Sequence, residues 1–425
     1  MQTNIPAGSP LAKKVFGAAL FAATQRQPSM LNRLTGAAPQ QSDAEAKLKG
    51  QTTPDMPLVR VTDLSKSAGE TVSVDLINTV GGKPIMGDRN AEGKGQKLDM
   101  SSMDIKIDLT TQVVDAGGMM SQQRTVWGLR SLAMAQLQGW YGRYHDQTTL
   151  VHLAGARGGQ TGTDWVVPLA SDPDFAEILI NTVKAPSYNR HFVADGTAVV
   201  QGGQQLASID STDVFKLEHL DALATTIADS EFKLQPIKLP DDPAANDEPM
   251  YLFLCTHRQW NSILANTSNL TWRTFLQNAW NRASYGSKHP LFTGETGMWR
   301  NIVVKKMDRA IRFVASDSTK IITSANRYTA TESDQTVNGS LGAGYAVDRG
   351  LLLGAQALAH VYGKNQASDT YAAWHERQYN FGRALEVAGD TMNGKSKLRF
   401  ELPDGTGAKV PTDHGVIVLD TTVVL

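Results

Sequence analysis

Hydrophobic positions change period along the chain, and each change marks a different kind of element. From Met119 to Val151 they fall three or four apart. Val126, Leu129, Ala133, Leu137, Trp140, Tyr144, Thr148 and Val151 line one stripe, while Gln122, Arg124, Arg130, Gln138, Arg143 and Asp146 lie elsewhere. The spacing predicts one amphipathic helix over 119–151, roughly 45 to 50 Å long at 1.5 Å per residue and two to three times the usual length in a globular domain. Something extended must lie against it. Gly128, Gly139 and Gly142 within the pattern predict a bend or the close approach of a neighbouring backbone. An ordinary core helix broken in two at Gly139 is the competing reading.

Ahead of that helix the period is two. Val72, Val74 and Leu76 alternate with polar residues, as do Met103, Ile105, Ile107 and Leu109, which predicts two strands. Residues 78–102 between them are Gly-rich, charged and aperiodic, far longer than a hairpin connection. They form either a disordered insertion or the end of a projecting two-stranded ribbon, which is marginal in water unless another surface covers it. Residues 1–56 are rich in Gln, Ala, Ser, Thr and Pro and predict an arm. Its one periodic stretch, Leu11 to Thr24, predicts a short amphipathic helix that needs a partner to bury it.

After the long helix, Asp195-Gly196 predicts a hairpin turn between Arg190–Val193 and Thr197–Val200. Asp213 to Asp229 carries Val214, Leu217, Leu220, Leu223 and Ile227 at helical spacing. The prolines and acids of 236–249 predict a loop and a domain boundary. Beyond it come a buried strand at 250–256, helices at 257–265 and 272–284, strands near 302–306 and 311–315, a polar loop at 326–340, and a terminal strand from Val416.

Composition places the chain among folded proteins, with 425 residues, 41% hydrophobic and 20% charged. Forty-one Lys and Arg against 42 Asp and Glu leave a net charge of -1, so no general pull toward nucleic acid or anionic membrane is expected. One cysteine, Cys255, excludes an internal disulfide and points to a reducing compartment. No apolar run reaches membrane-spanning length. Lys13-Lys14 and the apolar residues after them imitate a signal peptide, but the two prolines ahead favour an arm.

Chemistry is sparse. No GxGxxG, GxxxxGK[ST], HExxH or GxSxG frames a cofactor, phosphate, zinc or nucleophile site, and the nine histidines are scattered. No catalytic residue, cofactor or metal ligand is expected. His145-Asp146 is expected to be solvated at the polar end of the long helix. Trp272, Trp280, Tyr285 and Trp299 with Arg273, Arg282 and Arg300 concentrate aromatic and basic groups that fit either packing or a substrate platform.

Lys83-Pro-Ile-Met-Gly-Asp88, the strand Met103 to Leu109, Met120-Ser-Gln-Gln-Arg-Thr125, Gly128-Leu-Arg130 and Trp140-Tyr-Gly-Arg-Tyr-His-Asp146 together resemble the major capsid proteins of podoviruses of the coliphage N-four kind. Leu351–Ala357 and His414–Asp420 are similar to the same family. The resemblance runs from about Leu58 to the C-terminus and implies an α+β tailed-phage capsid fold. Its parts would be an arm over 1–56, an extended loop with its strands over 57–113, a peripheral domain with its spine helix over 114–240, an axial domain over 241–365, and strands returning to the peripheral domain over 366–425. It further implies a structural protein of the icosahedral head, assembled in the bacterial cytoplasm into hexamers and pentamers around double-stranded DNA that it touches weakly. Implied partners are a separate scaffolding protein and a portal, and the family also admits decoration proteins. Lys83, Asp88, Arg89, Glu92, Lys94 and Lys97 would form the intersubunit tip of the loop. Val126, Leu129, Leu137, Trp140 and Tyr144 would pack the helix. The alternatives are a soluble hydrolase with its platform near 270–300, and another oligomeric virion component.

Overall fold

The computed structural model describes residues 20, 29–35, 52, 54–61, 70–77, 84–86, 92, 100–124, 128–202, 206–238, 249–285, 296–316, 322–324, 326–329, 331–363, 371–381, 383–404 and 406–425. Two sheets carry the molecule. In the smaller, Leu58–Val61 lies parallel to Leu358–Gly363, which pairs antiparallel with the long strand Ala384–Lys397. That strand also pairs with Ala372–Tyr379 and, on its other edge, with Asp108–Gly118.

In the larger sheet the order is Ala198–Gln201, His191–Asp195, Val416–Val424, Tyr345–Leu353, Tyr251–Cys255, Ile302–Lys306 and Thr296–Trp299, with Arg312–Phe313 against Tyr345–Leu353. These strands are apolar runs because both faces are covered. Leu351, Leu353, Val416 and Val418 face one core, shared with Leu150 and Leu153 of the long helix. Leu352, Ile417 and Leu419 face the other, under the helices Leu217–Asp229, His257–Asn266 and Asn269–Tyr285.

The long helix is shorter than its pattern. Helix Met119–Arg124 is separate, Gly128 is extended at ψ 99°, and the spine runs Leu129–Ala154, ending on a left-handed Gly155. The single helix over 119–151 is therefore corrected to a break before Leu129 and an extension past Val151. Gly128 has no side chain to hold it in the helix and no side-chain cap forms there, so the break falls at it. Gly139 and Gly142 remain helical. They line a cleft of about 320 Å³ together with Ser29 and Met30, at the entry to helix Met30–Leu34, and a Cβ at Gly139 would meet only the Arg143 side chain, at 3.8 Å.

Other differences are local. The hairpin turn is Gly196-Thr197, with Asp195 paired to Ala198, because Gly196 supplies the positive φ of 62°. The expected boundary near 240 does not separate the sheets. His191–Gln201 joins strands from 251–353, and the C-terminal strands divide, 372–397 into one sheet and 416–424 into the other. Local pattern identifies strands, but pairing is decided by partners more than 200 residues away, such as Val418 beside His191. Of the amphipathic stretch Leu11 to Thr24 only Leu20 lies within the described residues, and it is buried beside Tyr141 and Trp374 of its own subunit.

Thr71–Ile77 and Met100–Lys106 form the two-stranded ribbon. Its base is not bare. Met103 and Ile105 pack on Val361, Leu398 and Phe400, while the alternate residues of the strand stay exposed. Leaving the ribbon, the chain at Lys106-Ile107 passes directly over Gly394, where a Cβ would collide with the Lys106 carbonyl. Gly394→Ala therefore forces backbone to move, and is expected to destabilise the subunit by about 1–3 kcal/mol or more. Urea unfolding of the variant measures this; an unchanged midpoint would mean that the ribbon does not rest there.

Candidate functional site

The helix Leu129–Ala154 positions the polar interior of the molecule. Its first half lies on the five-stranded sheet through Ala133, Leu137, Tyr141 and Tyr144, with Trp374 and Val387 opposite. The largest buried side chain of this stripe is Tyr141, one residue on from the expected Trp140. Its hydroxyl donates to the Gly389 carbonyl, and burial pushes its pKa far up. Leu137 and Tyr144 are buried; Leu129 and Trp140 are half-buried, and the Trp140 ring stacks on Tyr144 at 5.4 Å. Val126 lies outside the described residues.

Below the helix sits a buried cationic cluster. Lys395 Nζ donates to His145 O at 2.8 Å and Thr148 Oγ1 at 2.5 Å, and His145 Nδ1 lies 3.2 Å away. These are the three acceptors an ammonium needs, and they require His145 to be neutral with its proton on Nε2. His360 lies 5.4 Å from the His145 ring and 4.1 Å from Tyr362, and neither of its ring nitrogens has a hydrogen-bond partner among the described residues. Burial first, and the Lys395 charge second, hold both histidines well below the usual range. Burial likewise depresses Lys395, against the attraction of Asp146, whose Oδ2 accepts from the Met30 N–H. His145 is thus not the solvated end of a helix: the last two turns run inside the protein, where Gln147 to Ala154 are all buried.

The helix ends on a second buried network. Arg349 donates Nη1–H to the Ala154 carbonyl at 2.9 Å and grips Asp420 through Nε and Nη2, both at 2.8 Å. His191 Nε2 lies 2.7 Å from the same carboxylate. Burial alone would raise the Asp420 carboxyl, but Arg349 and His191 hold it at about 2. Near the ribbon base, Asp413 receives Lys397 at 2.7 Å and Arg399 at 2.8 Å, with Glu332 3.2 Å from Arg399. Each of these groups holds structure; Asp146, Glu332 and Arg399 also line surface clefts, but each is already engaged by a partner of its own subunit.

Of the aromatic and basic concentration near 270–300, Trp272 and Trp299 pack within the subunit, while Arg273 and Arg300 are exposed. Trp272 contacts Trp260 and Phe275, and the Trp299 indole donates to Asp221, which also pairs with Arg300. The side chains of Trp280, Arg282 and Tyr285 lie outside the description. No group of three metal-ligating side chains occurs among the described residues. Cys255 is buried, and burial raises its thiol pKa. Of the expected loop-tip residues, Glu92 is exposed, and Lys83, Asp88, Arg89, Lys94 and Lys97 lie outside the described residues. Next to them Pro84, Ile85 and Met86 are exposed, an apolar element that charge patterning had hidden.

Residues 4–425 match the family described as phage capsid protein. A search of curated proteins finds no match. Among solved structures the chain is similar to the capsid of Ralstonia phage GP4, at 24% identity and a TM-score of 0.70, covering 94% of this chain and 92% of that one. It is similar to the capsid of cyanophage Pam1 at 17% identity and a TM-score of 0.58, with 88% and 90% covered. The head of Helicobacter pylori bacteriophage KHP40 gives 13% and 0.53, with 88% of each chain covered. The fold is that of tailed-phage capsids.

The cluster fixes a pH dependence. His145 and His360 stay neutral in the folded subunit but protonate near pH 6.5 in the unfolded chain, so the folded-state pKa is the depressed one. Their contribution is complete above pH 6.5 and is lost as pH falls, by up to about 1.4 kcal/mol per pH unit for each. His360→Leu is expected to flatten that loss between pH 7 and 5. Denaturant midpoints of wild type and variant at both pH values test it, and equal slopes would remove His360 from the account.

Proposed function

The chain belongs to the phage capsid protein family, and from that premise we propose that it is the major capsid protein of a podovirus head of the coliphage N-four kind. It is a structural protein of the virion shell that assembles with itself, and not an enzyme. In this reading the shell is icosahedral and is built from hexamers and pentamers in the host cytoplasm. A separate scaffolding protein guides it, as the family resemblance implies. A portal occupies one vertex, decoration proteins have the outer face available, and the packaged DNA is held without strong contacts, in keeping with a net charge of -1.

The parts take their roles from their placement. The peripheral part is the five-stranded sheet with helix Leu129–Ala154, held by the stripe Leu129, Leu137, Trp140 and Tyr144, to which Val126 would add. The axial part is the larger sheet with its covering helices. The extended loop is the ribbon, and its tip reaches an adjacent subunit through Lys83, Asp88, Arg89, Glu92, Lys94 and Lys97.

One observation carries this: the ribbon base is packed on its own subunit, while Ile85 and Met86 toward the tip are exposed apolar residues. Met86 keeps 67% and Ile85 40% of its surface open in the lone subunit, and a neighbouring subunit would cover what is open. Negative-stain microscopy of purified protein tests the whole reading, with shells expected and compact monomeric particles excluding it. Deleting residues 81–95 is expected to leave subunit stability within about 1 kcal/mol, as surface changes do. Head formation is expected to fail or become strongly salt-sensitive, since exposed pairs are screened within about 8 Å at physiological ionic strength. Normal heads from the deletion variant would show that the loop makes no necessary contact.

A further inference from the structure

The hairpin joining Ala372–Tyr379 to Ala384–Lys397 turns through two consecutive residues in left-handed backbone, Asn380 at φ 52° and Phe381 at φ 55°. Asparagine tolerates that region because its short polar side chain can bond locally. Phenylalanine does not, since its Cβ crowds the following carbonyl. Nor does the ring gain anything from its own subunit: at 102% exposure it is the barest large hydrophobic side chain among the described residues. Glycine, asparagine or aspartate would close such a turn with less strain. Residues held in unfavourable backbone cluster at functional positions, where the strain is part of the function.

The surroundings have the composition of a protein interface. Gly118 pairs with Ala384, and helix Met119–Arg124 continues past that point, so it leaves the same end of the sheet as the hairpin tip. Met120, Arg124 and Arg383 are exposed there with Phe381. Aromatic residues, methionine and arginine are the types that interface centres enrich. The same chain exposes an acidic run, Asp172, Asp174 and Glu177, on a different part of its surface, complementary to the two arginines.

We infer that Phe381 anchors a contact between two copies of this chain, its ring seated in the second copy and Met120, Arg124 and Arg383 around it. The inference rests on the capsid reading, because self-assembly is what presents a second copy to every tip in the same register. Presentation on the end of a paired hairpin, instead of a long loop, means that little order has to be gained on binding.

The test compares full-length wild type, Phe381→Gly and Phe381→Tyr. Thermal unfolding reports the unassembled subunit, and light scattering with microscopy reports the concentration at which shells appear. The glycine variant is expected to unfold at or above the wild-type temperature, since glycine accepts left-handed backbone freely. Its assembly threshold is expected to rise about tenfold or more, the change that corresponds to about 1.4 kcal/mol per contact. Tyrosine is expected to restore assembly. A glycine variant that assembles at the wild-type threshold overturns the anchor and leaves the capsid reading standing. So does one whose subunit melts at a lower temperature, for Phe381 would then serve its own fold. Wild-type protein that never forms shells overturns the capsid reading and the anchor together.

Discussion

The Arg349–Asp420 pair is the joint between the two halves of the molecule. One guanidinium holds the last carbonyl of the long helix and, by two parallel bonds, a carboxylate at the centre of the larger sheet. Both side chains are fully buried. In that setting the pair contributes less by its own attraction than by what its loss would leave behind, a buried charge with no partner. The helix C-terminus adds a favourable dipole to the arginine. Because the first half of the same helix is bound to the five-stranded sheet through Tyr141 and Leu137, the joint fixes the relative placement of the two sheets. A shell subunit needs that rigidity, since small rotations between its parts would be multiplied around every ring.

The elements were largely legible, and their assembly was not. Periods of two and 3.6 placed the ribbon strands, the helix Leu217–Asp229, the strand Tyr251–Cys255 and the terminal strand within a few residues, because each buries one face or both. The stripe on the long helix was legible in the same way, but its centre was misplaced by one residue. Trp140 is the larger ring, yet Tyr141 faces the sheet, where its hydroxyl reaches the carbonyls of Thr110 and of Gly389, the latter 248 residues away. Sheet membership escaped for the same reason. Nothing local in His191–Asp195 indicates that it lies parallel to Val418–Asp420, so a boundary drawn from prolines cut through a sheet.

The buried charges escaped more completely. Lys395 lies in a run of small and polar residues that suggests an exposed strand, and His145-Asp146 lies on what looks like a hydrophilic end. Each becomes interpretable only beside the other, as an ammonium whose acceptors are a histidine nitrogen, a carbonyl and a threonine hydroxyl. A polar group is costly to bury alone and tolerable in company, and the company here comes from segments 250 residues apart.

Interior and periphery divide the energetic work. Inside, buried ion pairs among the described residues join parts of the same subunit: Arg349 with Asp420, Lys397 and Arg399 with Asp413, Arg312 with Asp348. At the extremities exposed apolar groups remain, among them Ile85 and Met86 on the ribbon, Leu264 and Leu270 on the helices covering the larger sheet, and Phe381 on the hairpin, beside exposed charges such as Glu92, Arg124 and Arg383. Each can bury only a modest area, so each contact between copies is weak alone and becomes strong by repetition around a closed shell. Weak single contacts let a wrongly docked copy leave before its neighbours lock it in place. A subunit that placed its buried ion pairs between copies instead of inside itself would hold its errors as firmly as its correct contacts and would be rigid only after assembly, whereas charges exposed at the periphery are screened and stay weak singly.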